Sequence, residues 1–177
     1  MGTTPTYSWP YPEPTDPVAN GAQDIEDLAL AVETTVSGLT QGKVVQVVRA
    51  TDATIRATTS LTPVDANISV TITPTSATST LLILWVASLR PSLIAGRSLH
   101  ASITDSSNVA LSGAEDVRTY AQTSGEYRAL ATIIGYSAPA TTSATTYKGR
   151  FYTNPTGTVS VQNDEVTGQM IALEISA

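Results

Sequence analysis

His100 is the only histidine in the chain, so any imidazole-based acid–base or nucleophilic chemistry must pass through it. Ser98 and Ser102 flank it at two residues on either side, and Asp105 follows. On a strand those serines share its face at ~6–7 Å along the chain, which is not a nucleophile–base arrangement. No G-x-S-x-G elbow, P-loop or G-x-G-x-x-G run is present. His100 therefore reads as a surface or strand-packing residue, and no catalytic residue is assigned. The acidic pairs are Glu26/Asp27, Glu115/Asp116 and Asp164/Glu165. The first suits a helix N-terminus, where the dipole favours anions. The other two read as solvated loops. Hard oxygen ligands cluster around Asn163, as calcium requires, but the spacing matches no EF-hand, and no metal or cofactor is assigned. A glycosidase would need two carboxylates facing one groove, a pair that sequence alone does not select.

The elements that would carry these side chains are mostly strands. Asn67 to Thr73 (NISVTIT) sets Ile68, Val70 and Ile72 on one face and Ser69, Thr71 and Thr73 on the other, the period-two signature of a half-buried antiparallel strand. Thr80 to Leu89 (TLLILWVASL) is apolar on both faces and reads as a central strand, with Trp85 in the core or at an interface. Further strands are expected at 43–50, 98–104, 109–111, 117–122, 127–136, 147–153, 158–162 and 169–176, with a turn at 74–79 and a loop at 138–146. Short strands at this spacing, with no second helical pattern to supply crossovers, predict a mainly β fold: an antiparallel, jelly-roll-like β-sandwich.

Two segments precede that domain. Residues 1–23 hold Pro5, Pro10, Pro12, Pro14 and Pro17, which exclude helix and favour extended backbone. Tyr7, Trp9 and Tyr11 give this arm the look of a peptide that lies on another surface; the alternative is a disordered terminus. A helix is expected from about Asp24, as N-cap, to Ser37, with Gly38 and Gly42 as stops. Ile25, Leu28, Val32, Thr35 and Leu39 recur at spacings of 3, 4, 3 and 4, an a/d heptad stripe widened by Ala29 and Val36. The stripe either joins copies of the chain or packs on its own sheet. The expected division is 1–23 arm, 24–42 helix and 43–177 β-sandwich.

Composition bounds the partners. The 177 residues carry a formal charge of −6, with lysine only at Lys43 and Lys148, which disfavours nucleic acid and anionic membranes. The absence of cysteine removes disulfides and thiolate metal sites and fits cytosolic assembly. The N-terminus lacks signal-peptide features, and the apolar run 81–87 is far short of the roughly 20 residues that span a bilayer.

The run from Trp9 to Ala29 (WPYPEPTDPVANGAQDIEDLA) resembles the N-terminus of virion structural proteins of tailed double-stranded DNA phages, variously head fibres, capsid decoration proteins or minor tail proteins. Ser69 to Leu84 (SVTITPTSATSTLLIL) is similar to a strand–turn–strand of their distal β domains. The resemblance implies a non-enzymatic protein on the virion surface, assembled in the host cytoplasm and usually a homotrimer. Its particle anchor would be Tyr7, Trp9, Pro10, Tyr11, Pro12, Asp16 and Pro17, against a capsid or tail protein. Its oligomerisation face would be Ile25, Leu28, Val32 and Leu39. The chain has no collagen-like repeat or long coiled coil, which favours a short decoration or head-fibre protein over a tail fibre that binds a host-surface glycan.

Overall fold

Five prolines in the first seventeen residues keep the backbone out of the helical ladder until Val18. The computed structural model describes residues 2–38, 43–164 and 166–176 and divides the chain into two compact units, Met1–Lys43 and Val44–Ala177. In the first unit the arm, expected as an extended segment, is extended only in two short pieces and doubles back on itself. Strand β1 (Gly2–Thr3) pairs antiparallel with β2 (Pro10–Tyr11). Ser8 takes a left-handed backbone (φ 55°) and its N–H donates to the Thr4 carbonyl at 2.9 Å, while the Trp9 N–H donates to Thr4 Oγ1 at 3.0 Å. These bonds satisfy backbone groups that a single extended chain would leave to water, and that is why the arm closes. Pro17 then starts a 3-10 turn at Val18–Asn20 that runs into α1 (Gly21–Gly38). The helix thus begins three residues before the expected cap. Asp24 lies buried inside its first turn, and Glu26 and Asp27 lie beyond it. The reason is local: the Pro17 turn already points the chain along the helix axis, so no side-chain cap is needed to start it.

The second unit is antiparallel β throughout its strands: β3 (Val44–Asp52), β4 (Arg56–Thr58), β5 (Val64–Ile72), β6 (Thr80–Arg90), β7 (Arg97–Asp105), β8 (Val117–Ala121), β9 (Ala129–Ser137), β10 (Thr145–Asn154), β11 (Val159–Val161) and β12 (Gly168–Ile175). One sheet has the order β5-β10-β7-β8. In the other, β9 runs along one edge of β6, while β12 and β11 share its opposite edge and are flanked in turn by β3 and β4. Counted by pairs, β3 meets β12, β5 meets β10, β6 meets β9 and β7 meets β8. Such nesting is one long hairpin folded over into two sheets, the jelly-roll layout of a β-sandwich.

The core lies between the sheets. Ile68, Val70, Ile72, Leu99, Ile103, Tyr147 and Phe151 come from one side and Leu81, Ile83, Trp85, Leu89, Ile133 and Met170 from the other. Full burial of each large apolar side chain contributes roughly 1.5–3 kcal/mol. Trp85 is entirely enclosed, and Gly149 of β10 lies so close above it that a Cβ there would sit 3.1 Å from its ring carbons. One expected strand is absent, and one that was not expected is present. Residues 109–111 form no strand, only isolated bridges from Ala110 to Thr104 and from Ser112 to Tyr136, because the segment crosses between sheets to seat Leu111 and Ala114 in the core. Conversely, β4 is real but three residues long, too short to show a period.

Candidate functional site

The small N-terminal unit is built around Trp9. Its indole Nε1 donates to Thr35 Oγ1 of α1 at 2.9 Å, and that hydroxyl in turn donates to the Ala31 carbonyl at 2.9 Å. Tyr7 stacks on Trp9 with ring centroids 5.2 Å apart. Trp9, Pro10 and Asp16 are half-buried, whereas Tyr7, Tyr11, Pro12 and Pro17 are exposed. The Asp16 carboxylate accepts the Glu13 N–H at 2.7 Å, and this bond holds its pKa below the usual carboxylate range. The result is a short aromatic clip, already folded, with two tyrosine rings facing solvent. On the helix, Ile25 is 66% exposed and Leu28 and Val32 are half-buried. Leu39, the last residue of the expected stripe, lies outside the described residues. Thr35 occupies the remaining position of the stripe and is engaged by Trp9, a use that heptad spacing does not reveal.

His100 is buried on β7 and packs flat on Tyr152 of β10, with centroids 4.5 Å apart. Its Nδ1 lies 2.7 Å from Asp116 Oδ1, and Arg118 Nε and Nη2 bind Asp116 Oδ2 at 2.7 and 2.6 Å. Partial burial pushes the Asp116 pKa up, but the bonds from Arg118 and His100 outweigh it and hold the carboxyl low. Ser98 directs its hydroxyl to the Asn154 carbonyl at 3.0 Å, away from any role as a nucleophile for His100. The cluster is a polar clasp joining β7, β8 and β10.

Two loop readings change. Asp116 is tied into this clasp instead of standing free in solvent. Asn163 is fully buried, and its amide donates to Asp52 Oδ2 at 3.2 Å because the chain must close tightly over Gly168. Glu165 lies outside the described residues, and among the described residues no three acidic or imidazole groups stand together as metal ligands.

A polar cleft that sequence reasoning missed opens on the outer face of the β5-β10-β7-β8 sheet. It holds about 290 Å³ and is lined by Pro63, Ser102, Thr104, Asn108, Ala110, Glu115 and Arg150. Arg150 is fixed by Asp65 at 3.3 Å and by contacts to Asn108 Oδ1 and the Pro63 carbonyl; Lys148 Nζ reaches Asn108 Oδ1 at 2.6 Å. The available signal was the polar alternation of β7 and β10, but only the fold brings the two rows side by side.

No protein-family model matches the chain, and no curated protein matches it. Among solved structures it is similar in part to infectious bursal disease virus VP2 in a subviral particle, with a TM-score of 0.39 and 15% identity over 74% of this chain and 32% of that one. The corresponding protein of the Gt strain gives a TM-score of 0.37 and 13% identity over 75% of this chain and 38% of that one. The chain thus spans about a third of these proteins' length, and similarity at this level bears on neither ancestry nor activity.

Proposed function

We propose that this chain is a non-enzymatic virion structural protein, in which the arm-and-helix unit attaches to the particle and the jelly-roll faces outward. The observation that carries the reading is the clip at Trp9. A proline-rich arm held by Thr35 presents Tyr7 and Tyr11 with its ordering cost already met, which is what a docking peptide needs. The resemblance of Trp9 to Ala29 to phage virion proteins supports the same assignment. Within it, the finer reading is a capsid decoration or head-fibre role, with Tyr7, Trp9, Pro10, Tyr11, Pro12, Asp16 and Pro17 at the docking surface. Ile25, Leu28 and Val32, with Leu39 beyond, would join copies into a trimer. Replacing Tyr7 and Tyr11 together by alanine should leave the strand signal in circular dichroism unchanged and weaken binding to particles lacking the protein by about tenfold or more, as loss of two aromatic anchors does. Unchanged binding would sink the attachment role.

A second reading, a tail appendage that recognises host glycans, is favoured by the polar cleft. Hydroxyls, an amide, a carboxylate and a guanidinium are the groups that bind sugar hydroxyls. It predicts that purified protein binds host polysaccharide and loses that binding in Arg150→Ala; no binding to host cells or glycans would count against it.

A further inference from the structure

The two outer faces of the sandwich differ in kind. On the β5-β10-β7-β8 sheet the outward positions are polar: Asp65, Asn67, Ser69 and Thr71 on β5, and Thr146, Lys148 and Arg150 on β10, where the Thr71 and Thr146 hydroxyls bond at 2.8 Å. That is the normal wet face of an antiparallel sheet. On the other sheet the outward positions form apolar rows across the strands. Val47, Leu173, Leu82 and Tyr136 are register partners in one row, and Arg49, Ile171, Leu84 and Ile134 in the next. Thr51, Gln169, Val86 and Thr132 follow, with Leu130 at the end of β9. Val47 is 59% exposed, Ile134 47%, Tyr136 50% and Leu130 68%. Leu82, Leu84, Val86, Ile171 and Leu173, in the middle strands of the sheet, are half-buried. This explains why β6 reads as apolar on both faces: one face fills the core and the other stays partly exposed.

We infer that this face is an interface between two copies of the chain, stacked sheet against sheet. The charge balance favours a second copy, and the geometry and extent of the face allow one. Each chain carries −6, so two copies meet at least cost through the surface that holds almost no charge, and among these rows Arg49 is the one charged member, its Nε bonded to Gln169 at 3.0 Å. Two sheet faces pack at ~10 Å, as the layers of a sandwich do. The extent of the face also suffices. Four strands at ~4.8 Å spacing and about eight residues at ~3.4 Å give on the order of 500 Å² per copy. The pair then covers on the order of 1,000 Å², the lower bound for a specific interface. That footprint is in the range of the largest surface patch of a typical monomer, ~300–600 Å², and such patches are often functional. The inference does not rest on the attachment role of the arm.

The test is the mass of the full chain by light scattering at ~10–100 µM, for wild type and for Leu130→Lys/Ile134→Lys. Both residues are largely solvent-facing, so the variant keeps the core, and a thermal midpoint within a few degrees of wild type confirms it. Wild type should contain more than one copy. The variant should lose a factor of two in mass, with dissociation at least tenfold easier, while Ile25→Glu on the helix leaves that step in place. Amides of residues 82–86 and 132–136 should gain hydrogen-exchange protection with concentration in wild type alone. A monomeric wild type would overturn the inference and leave the face to a different protein. So would a folded variant of unchanged mass.

Discussion

Replacing Gly149 by alanine places a methyl group against the centre of the core. The new Cβ would lie 2.9 Å from Ile68 Cγ2 and 3.1 Å from Trp85 Cδ2 and Cε2, against an optimum of ~3.5–4.0 Å between carbons. Trp85 is fully enclosed and cannot swing aside, so β10 must lift or the ring must tilt. Overpacking of this kind costs ~1–3 kcal/mol. The reduced freedom of the unfolded chain offsets ~0.5–1 kcal/mol, since Gly149 has no positive φ that alanine would resent. The net expectation is a destabilisation of ~1–2 kcal/mol, a fall in midpoint of ~5 °C for a unit of this size. Trp85→Phe should ease the part of the clash that the indole makes, leaving the contact with Ile68, and also removes a buried indole N–H that has no partner. Equilibrium urea unfolding of wild type, both single variants and the double variant forms a cycle. Gly149→Ala should cost ~0.5–1 kcal/mol less when Trp85→Phe is already present, since the smaller ring can give way while the contact with Ile68 stays. If it is neutral in wild type, or equally costly in both backgrounds, β10 does not lie on Trp85 and the packing of the two sheets is wrong.

Glu174 is fully buried on β12 and accepts the N–H and the hydroxyl of Thr75, each at 2.7 Å. Burial pushes its pKa up, but those bonds outweigh it and leave it low. Glu174→Gln should therefore cost ~1–3 kcal/mol at neutral pH. The carboxylate's contribution is present above the unfolded value of about 4.3 and lost as pH falls through the lower folded value, so unfolding curves of variant and wild type should converge in acid. Asp116→Asn removes the anion between His100 and Arg118. With its pKa also held low, its stabilisation should be visible in thermal melts at pH 7 and fade below about pH 3.9 as the wild-type carboxyl protonates. Trp9→Phe keeps the stack on Tyr7 but loses the bond to Thr35, so exchange at the Ser8 and Trp9 amides should quicken by about three- to tenfold while the β unit melts unchanged.

What the sequence disclosed depended on whether a signal was local. NISVTIT announced β5 because strict alternation on a half-wet strand is legible residue by residue. The centrality of β6 was also readable, and Trp85 is indeed in the core. Its two apolar faces suggest two buried faces, whereas the outer one is open. Helix α1 was visible from its stripe, but its start lies earlier than cap chemistry indicates because the Pro17 turn supplies a beginning that no capping side chain encodes. The arm's closure and its clip were hidden: Trp9 and Thr35 are 26 residues apart and only folding joins them. The burial of Asn163 against Asp52 and the polar cleft were missed for the same reason, since register brings their partners from distant strands.

Where the protein sits is the most direct test of the attachment role. Cryo-EM of intact particles that carry it should show the β unit as outward-projecting density and the aromatic arm, with Tyr7 and Tyr11, buried against a particle protein. Particles with no copy of the chain, or with the β unit seated on the particle and the arm free in solvent, would contradict it.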